Sequence, residues 1–108
     1  KDMLDIDVIN DSEGILQDIH WFEGMYGYFP TYATGAMMAS QLKYNCPSYD
    51  QFIISPNVNN MEGVSQWLID NVHQFGSELS TSEILNKISN EDLNPNYLVK
   101  HLKERFKV

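Results

Sequence analysis

The residues best equipped for chemistry lie between Gly14 and Tyr32. Asp18 and His20 form a titratable pair two positions apart, followed by Trp21, Tyr26, Tyr28 and Tyr32. Imidazole and phenol groups can donate hydrogen bonds to an anionic oxygen, and so stabilise charge that develops during a reaction, without ligating a metal. A plain core segment does not need so many rings with polar tips, because each must find a partner when buried. Gly24 and Gly27 interrupt any smooth helix there, and Pro30 is placed to start a new one.

The elements that must position these groups read as helices. Residues 1–13 look irregular or weakly helical, and 14–29 read as a short apolar segment followed by a glycine-interrupted turn. From Pro30 or Thr31 a helix runs towards Asn45, through Ala33, Ala36, Met37, Met38, Ala39 and Leu42. Pro47 restarts the chain, with Tyr49, Phe52, Ile53 and Ile54 as an apolar side. Ser55 to Asn60 reads as a loop by composition. Met61, Val64, Leu68, Val72 and Phe75 recur at helical spacing, with Gly76 as a stop. Ser80-Thr-Ser-Glu83 is a capping-box pattern, and Asn94-Pro95 a cap with proline at the first helical position. Leu98, Leu102 and Phe106 mark the last helix. No strand-like alternation persists, so the expectation is an all-α bundle of four or five helices.

Composition narrows the function classes. The chain has 108 residues, 43% of them hydrophobic, and a net charge of −8. Acids crowd residues 1–24, and four of the seven bases fall in the last nine positions. Cations at a helix end complement its dipole, whereas nucleic acid needs a concentrated cationic surface, so no nucleic-acid partner is expected. No apolar run approaches the roughly 20 residues that span a bilayer, so no membrane partner is expected. The single Cys46 cannot form an internal disulfide, which fits a reducing compartment. The opening at Lys1 and the unpatterned acidic start read as the middle of a longer polypeptide, hence a C-terminal fragment.

The chemistry-bearing segment also carries a resemblance. Gly14, Gln17, Asp18, His20 and Trp21 fill the G-x-x-Q-D-x-H-W signature of the Taq-type HExxH metallocarboxypeptidases, and Gly27 to Tyr32 matches the G-Y-F-P-T-Y run that follows it. A looser likeness continues through Trp67, Leu68 and His73 to Tyr97, Leu98, Leu102, Arg105 and Phe106. The chain departs from the pattern at Phe22, Thr34 and Ala36. The resemblance implies the C-terminal part of a mostly helical zinc peptidase, as one fragment over 1–108. Residues 14–32 would form a wall of the active site, and 33–108 the helical remainder. It implies a homodimeric cytoplasmic enzyme that removes C-terminal residues from peptides. Its metal would be zinc, with cobalt as the alternative.

His20, His73 and His101 show no HExxH spacing, so the resemblance implies a metal bound outside this segment and a fragment inactive by itself. Tyr28, which follows Gly27 as such peptidases place their donor, is the first candidate for oxyanion stabilisation, with Tyr32 in reserve. His20 would hydrogen-bond substrate or intermediate, and Gln17 could pair with substrate or backbone amides. Asp18 divides between a structural cap or ion pair and the support of a neighbouring donor. Trp21 reads as a packing anchor beneath the site, and Tyr26 as structural. His73 reads as a helix-end cation, His101 as a surface or interface residue, and Met37 and Met38 as helix packing. Cys46 lacks a base to activate it. A non-enzymatic helical interaction domain that retains the motif for packing is the rival function.

Overall fold

The structure, a computed structural model, describes residues 6–107. The described residues contain helices and turns and no strand. The helices are α1 (Ile19–Phe22), α2 (Pro30–Asn45), α3 (Pro47–Ile54), α4 (Val58–Asn71), α5 (Thr81–Ser89) and α6 (Asn96–Phe106). The all-α expectation holds. The helix count exceeds the expected four or five because the segment before the glycines closes into the single turn α1. The chain divides into two compact units, Lys1–Ala33 and Thr34–Val108.

In the first unit, the expected irregular start over residues 1–13 lies outside the described residues for 1–5. Beyond them, Asn10 caps a 3-10 turn at Asp11–Glu13 by accepting the Glu13 N–H at 3.0 Å, and a second 3-10 turn spans Ile15–Gln17. No side chain of residues 6–33 is buried, and among them Gly14, Asp18 and His20 are the half-buried positions.

The second unit is built on its caps and one polar clamp. Pro47 opens α3 as expected, its missing N–H being one the first turn leaves unpaired anyway. The expected loop at 55–60 is shorter. Asn57 Oδ1 accepts the Asn60 N–H at 2.9 Å, so α4 begins at Val58 and takes in Asn59 and Asn60. A 3-10 turn, His73–Phe75, follows α4 and ends at Gly76. Ser80 and Glu83 close the capping box reciprocally. Pro95 already has helical dihedrals ahead of α6, and Asn94 Oδ1 accepts the Asn96 N–H at 2.9 Å.

Ile84, Leu85 and Cys46 are buried here, as are the polar Ser40 and Gln41. Gln41 has no exposed surface. Its Nε2 donates to Ser89 Oγ at 2.7 Å and to the Asp92 carbonyl at 3.1 Å, while its Oε1 accepts the Asn94 N–H at 3.0 Å. A buried amide costs free energy unless it is bonded this fully. α2, α3 and α4 meet around a pocket of 270 Å³ lined by Leu42, Tyr49, Val64, Trp67 and Leu68, among others. Among the described residues, no helix is long and apolar enough to cross a membrane.

Candidate active site

The site is assembled within the first unit by three local devices. The first is a cap. Asp18, extended at φ −97° and ψ 104°, places its carboxylate over the start of α1, where Oδ1 accepts the His20 N–H at 2.9 Å. The same oxygen lies 2.7 Å from His20 Nδ1. One carboxylate atom thus holds both the backbone and the ring of the same residue.

The second device ends α1. Gly24 takes φ 71°, the Gly24 N–H donates to the Trp21 carbonyl at 3.2 Å, and the Met25 N–H donates to the His20 carbonyl at 2.8 Å. These paired bonds around a left-handed residue form a Schellman motif, which turns the chain sharply. The third is a turn over Met25–Tyr28, closed by the Tyr28 N–H on the Met25 carbonyl at 3.2 Å, with Gly27 at φ 77°. Positive φ at the third position is what a type II turn requires. α2 then starts at Pro30, with the Tyr28 carbonyl accepting from Thr31 Oγ1 at 2.7 Å.

These bends return the chain to His20. The Tyr32 hydroxyl lies 3.3 Å from His20 Nε2, so Asp18, His20 and Tyr32 form a continuous hydrogen-bonded row. The Tyr28 ring lies across the imidazole, with centroids 5.2 Å apart and planes tilted by 30°. Phe29 meets the imidazole edge-on at 6.2 Å, and Tyr28 meets Tyr32 edge-on at 5.8 Å. The His20 side chain is 16% exposed and that of Asp18 26%. Partial burial pushes the Asp18 carboxyl up. Hydrogen bonds from the His20 ring and backbone, the His20 charge and the Trp21 side chain outweigh it and hold the group below its ordinary 3.8. Asp18 is therefore an ionised acceptor near neutral pH.

Beside this row lies a cleft of about 470 Å³ lined by Gly14, Ile15, Gln17, Asp18, Ile19, His20, Trp21 and Phe29. The arrangement is mostly apolar wall with a few convergent polar groups, the usual character of a small-ligand site. The family model for the Carboxypeptidase Taq (M32) metallopeptidases matches residues 1–106. The chain belongs to the M32 family. It is 36% identical over 99 residues to thermostable carboxypeptidase 1 of Pyrococcus furiosus, covering 88% of this chain and 19% of that protein. It is 36% identical over 110 residues to carboxypeptidase 1 of Bacillus subtilis, covering 98% and 21%. It is 23% identical over 96 residues to thermostable carboxypeptidase 1 of Thermus thermophilus, covering 87% and 19%. The chain spans about a fifth of the length of these M32 relatives. No solved structure gives a significant match.

Membership of M32 implies a metal. Among the described residues, no three of His, Cys, Asp and Glu come together as ligands. His20 is engaged by Asp18 and Tyr32, and His101 by Lys43. The described residues do not fit a metal centre, and the chemistry derived for them below runs through none.

The other candidates have definite places in this M32 chain. Gln17 lines the cleft, and its Nε2 donates to the Ser12 carbonyl, tying down the strand of chain that leads into Asp18. Trp21 is 53% exposed, with Tyr26 edge-on at 5.5 Å. The Tyr28 hydroxyl has no hydrogen-bond partner among the described residues, and Tyr28 is 46% exposed. Neither Tyr28 nor Tyr32 lines the cleft itself. Phe29, given no role from sequence, both lines the cleft and packs on His20. Its place inside the matched run was the available signal. His101, expected at a surface or interface, is partly buried and accepts from Lys43 Nζ at 3.0 Å.

Proposed function

We propose that this segment forms part of the substrate-facing wall of an M32 metallocarboxypeptidase that removes C-terminal residues from peptides. The observation that carries the reading is the convergence of Asp18, His20, Tyr28 and Tyr32 beside an apolar cleft, in a chain of that family. Family membership supports a peptide substrate with a free C-terminus and a metal held by other residues of the whole protein, zinc or alternatively cobalt. We further take the whole enzyme to be a cytoplasmic homodimer, and this segment by itself to be inactive.

Peptide hydrolysis adds water to the scissile carbonyl, passes through a tetrahedral oxyanion, and breaks the C–N bond as the amine takes up a proton. Tyr28 supplies a hydroxyl whose proton is not engaged by the described residues, on a ring held in place by His20. That hydroxyl donates to the oxyanion. His20 lines the cleft with both ring nitrogens engaged, by Asp18 and by Tyr32, and so holds the tyrosine pair in place, while Gln17 and Trp21 border the cleft where the peptide lies. Asp18 supports this row through His20.

The test is steady-state kinetics of Tyr28→Phe, Tyr32→Phe and Tyr26→Phe in the full-length protein on one blocked dipeptide. Metal content and melting temperature are matched first. Loss of one oxyanion donor lowers turnover by about 100- to 1000-fold, roughly 3–4 kcal/mol. The deficit falls on turnover rather than KM, because the oxyanion exists only near the transition state. Tyr26→Phe changes little. Normal turnover in both Tyr28→Phe and Tyr32→Phe refutes the wall reading.

A further inference from the structure

We infer that Asp18 is a positioning residue that fixes the proton of neutral His20 on Nδ1, so that Tyr32 donates to Nε2 and the two tyrosines take opposite roles. The inference rests on the active-site reading above and adds a division of labour to it. An ionised carboxylate only accepts hydrogen bonds. With Asp18 Oδ1 2.7 Å from Nδ1, the ring proton must sit on that nitrogen. Nε2 is then bare and faces the Tyr32 hydroxyl at 3.3 Å, and the phenol is the group able to supply the proton between them. The backbone bond from the His20 N–H to the same Oδ1, at 2.9 Å, fixes where the carboxylate sits.

The consequence is an asymmetry between two tyrosines four residues apart. Tyr32 spends its proton on His20 and turns its lone pairs outward as an acceptor. Tyr28 lies over the imidazole face and keeps its proton for an incoming group. The pair offers a substrate one donor and one acceptor rather than two donors. Asp18, Tyr28 and Tyr32 are the titratable groups shown facing His20.

The test separates this arrangement from activity. Full-length protein labelled with 15N-histidine is studied by long-range 1H–15N correlation, at a pH high enough that the ring resonances no longer move. His20 signals are assigned by their loss in His20→Gln. The wild-type ring carries its proton on Nδ1. In Asp18→Ala the acceptor is gone, so the proton is released from Nδ1, moves to Nε2 and is donated there to the Tyr32 oxygen. Turnover then falls by about 100-fold with KM nearly unchanged, because Tyr32 no longer presents an acceptor beside the Tyr28 donor, a loss on the scale of one transition-state hydrogen bond. Asp18→Glu, which keeps a carboxylate, returns the proton to Nδ1 and recovers part of the turnover.

A wild-type proton on Nε2 overturns the proposal. So does an unchanged tautomer in Asp18→Ala, or a swapped tautomer with normal turnover. Failure of the active-site reading shows instead as normal turnover in Tyr28→Phe and Tyr32→Phe, whatever the tautomer.

Discussion

Gln41 Nε2 and Ser89 Oγ, 48 positions apart in sequence, meet at 2.7 Å inside the second unit. Ser89 Oγ in turn donates to the Leu85 carbonyl at 2.8 Å, so the bond joins α2 to the end of α5. Together with the bonds to Asp92 and Asn94, it ties the α5–α6 connection to α2 through a single side chain. Its neighbour in this arrangement, Glu91, accepts from Tyr97 and Asn94.

Replacing Gln41 by Met keeps the volume and removes all three bonds. Each net bond contributes about 1 kcal/mol, so the loss is about 3 kcal/mol. Ser89→Ala removes one partner and costs about 1 kcal/mol. Urea unfolding of the single and double variants checks both values. The double variant is less destabilised than the sum, because the residues share one network.

Acid weakens the fold by a calculable route. The Ser80 side chain and backbone N–H hold Glu83 below its ordinary 4.5, and bonds from Tyr97 and Asn94 do the same for Glu91. His20 holds Asp18 below 3.8 against its burial. For a carboxyl lowered on folding, the unfolded chain binds more protons, so stability is fully present above the ordinary value and lost as pH falls through the folded one. Melting temperature is therefore level above about pH 5 on this account and declines from about pH 4.5 downward. Glu83→Gln makes the decline shallower. A melting series across pH 2–7, at fixed salt, reads both.

Two glycines with equally open surroundings respond oppositely to alanine. No atom would crowd a Cβ at Gly24 or at Gly35. Gly24 has φ 71° and closes the turn after α1, so Gly24→Ala destabilises by about 1–2 kcal/mol. Gly35 lies within α2, where alanine is the better helix former, and Gly35→Ala stabilises by about 1 kcal/mol. Thermal unfolding of the two variants should show shifts of opposite sign.

What the sequence disclosed was local. Pro30, Pro47, Gly76 and the Ser80–Glu83 box act within a turn of their own position, and each stands where its chemistry demanded. Asp18 and His20, two residues apart, were legible as a pair for the same reason. Asn57 to Asn60 misled because asparagine favours both loops and caps, and here one cap admits the next two asparagines into a helix. The burial of Gln41 and the pairing of Lys43 with His101 left no local trace, since their partners lie about half the chain away. The choice of Tyr32 over Tyr28 as the partner of His20 depended on the exact path through Gly24 and Gly27, which residue spacing does not encode.

The absence of any buried side chain in residues 6–33 implies a gradient of protection along the chain. The amides of Gly24, Met25 and Tyr28 are held by turns that a small fluctuation opens, so their hydrogens exchange by local fraying. The amide of Asn94, locked against a fully buried glutamine, exchanges only when the second unit opens cooperatively. The candidate residues Asp18, His20, Tyr28 and Tyr32 thus sit on a segment that local opening reaches before the helices around Gln41 give way.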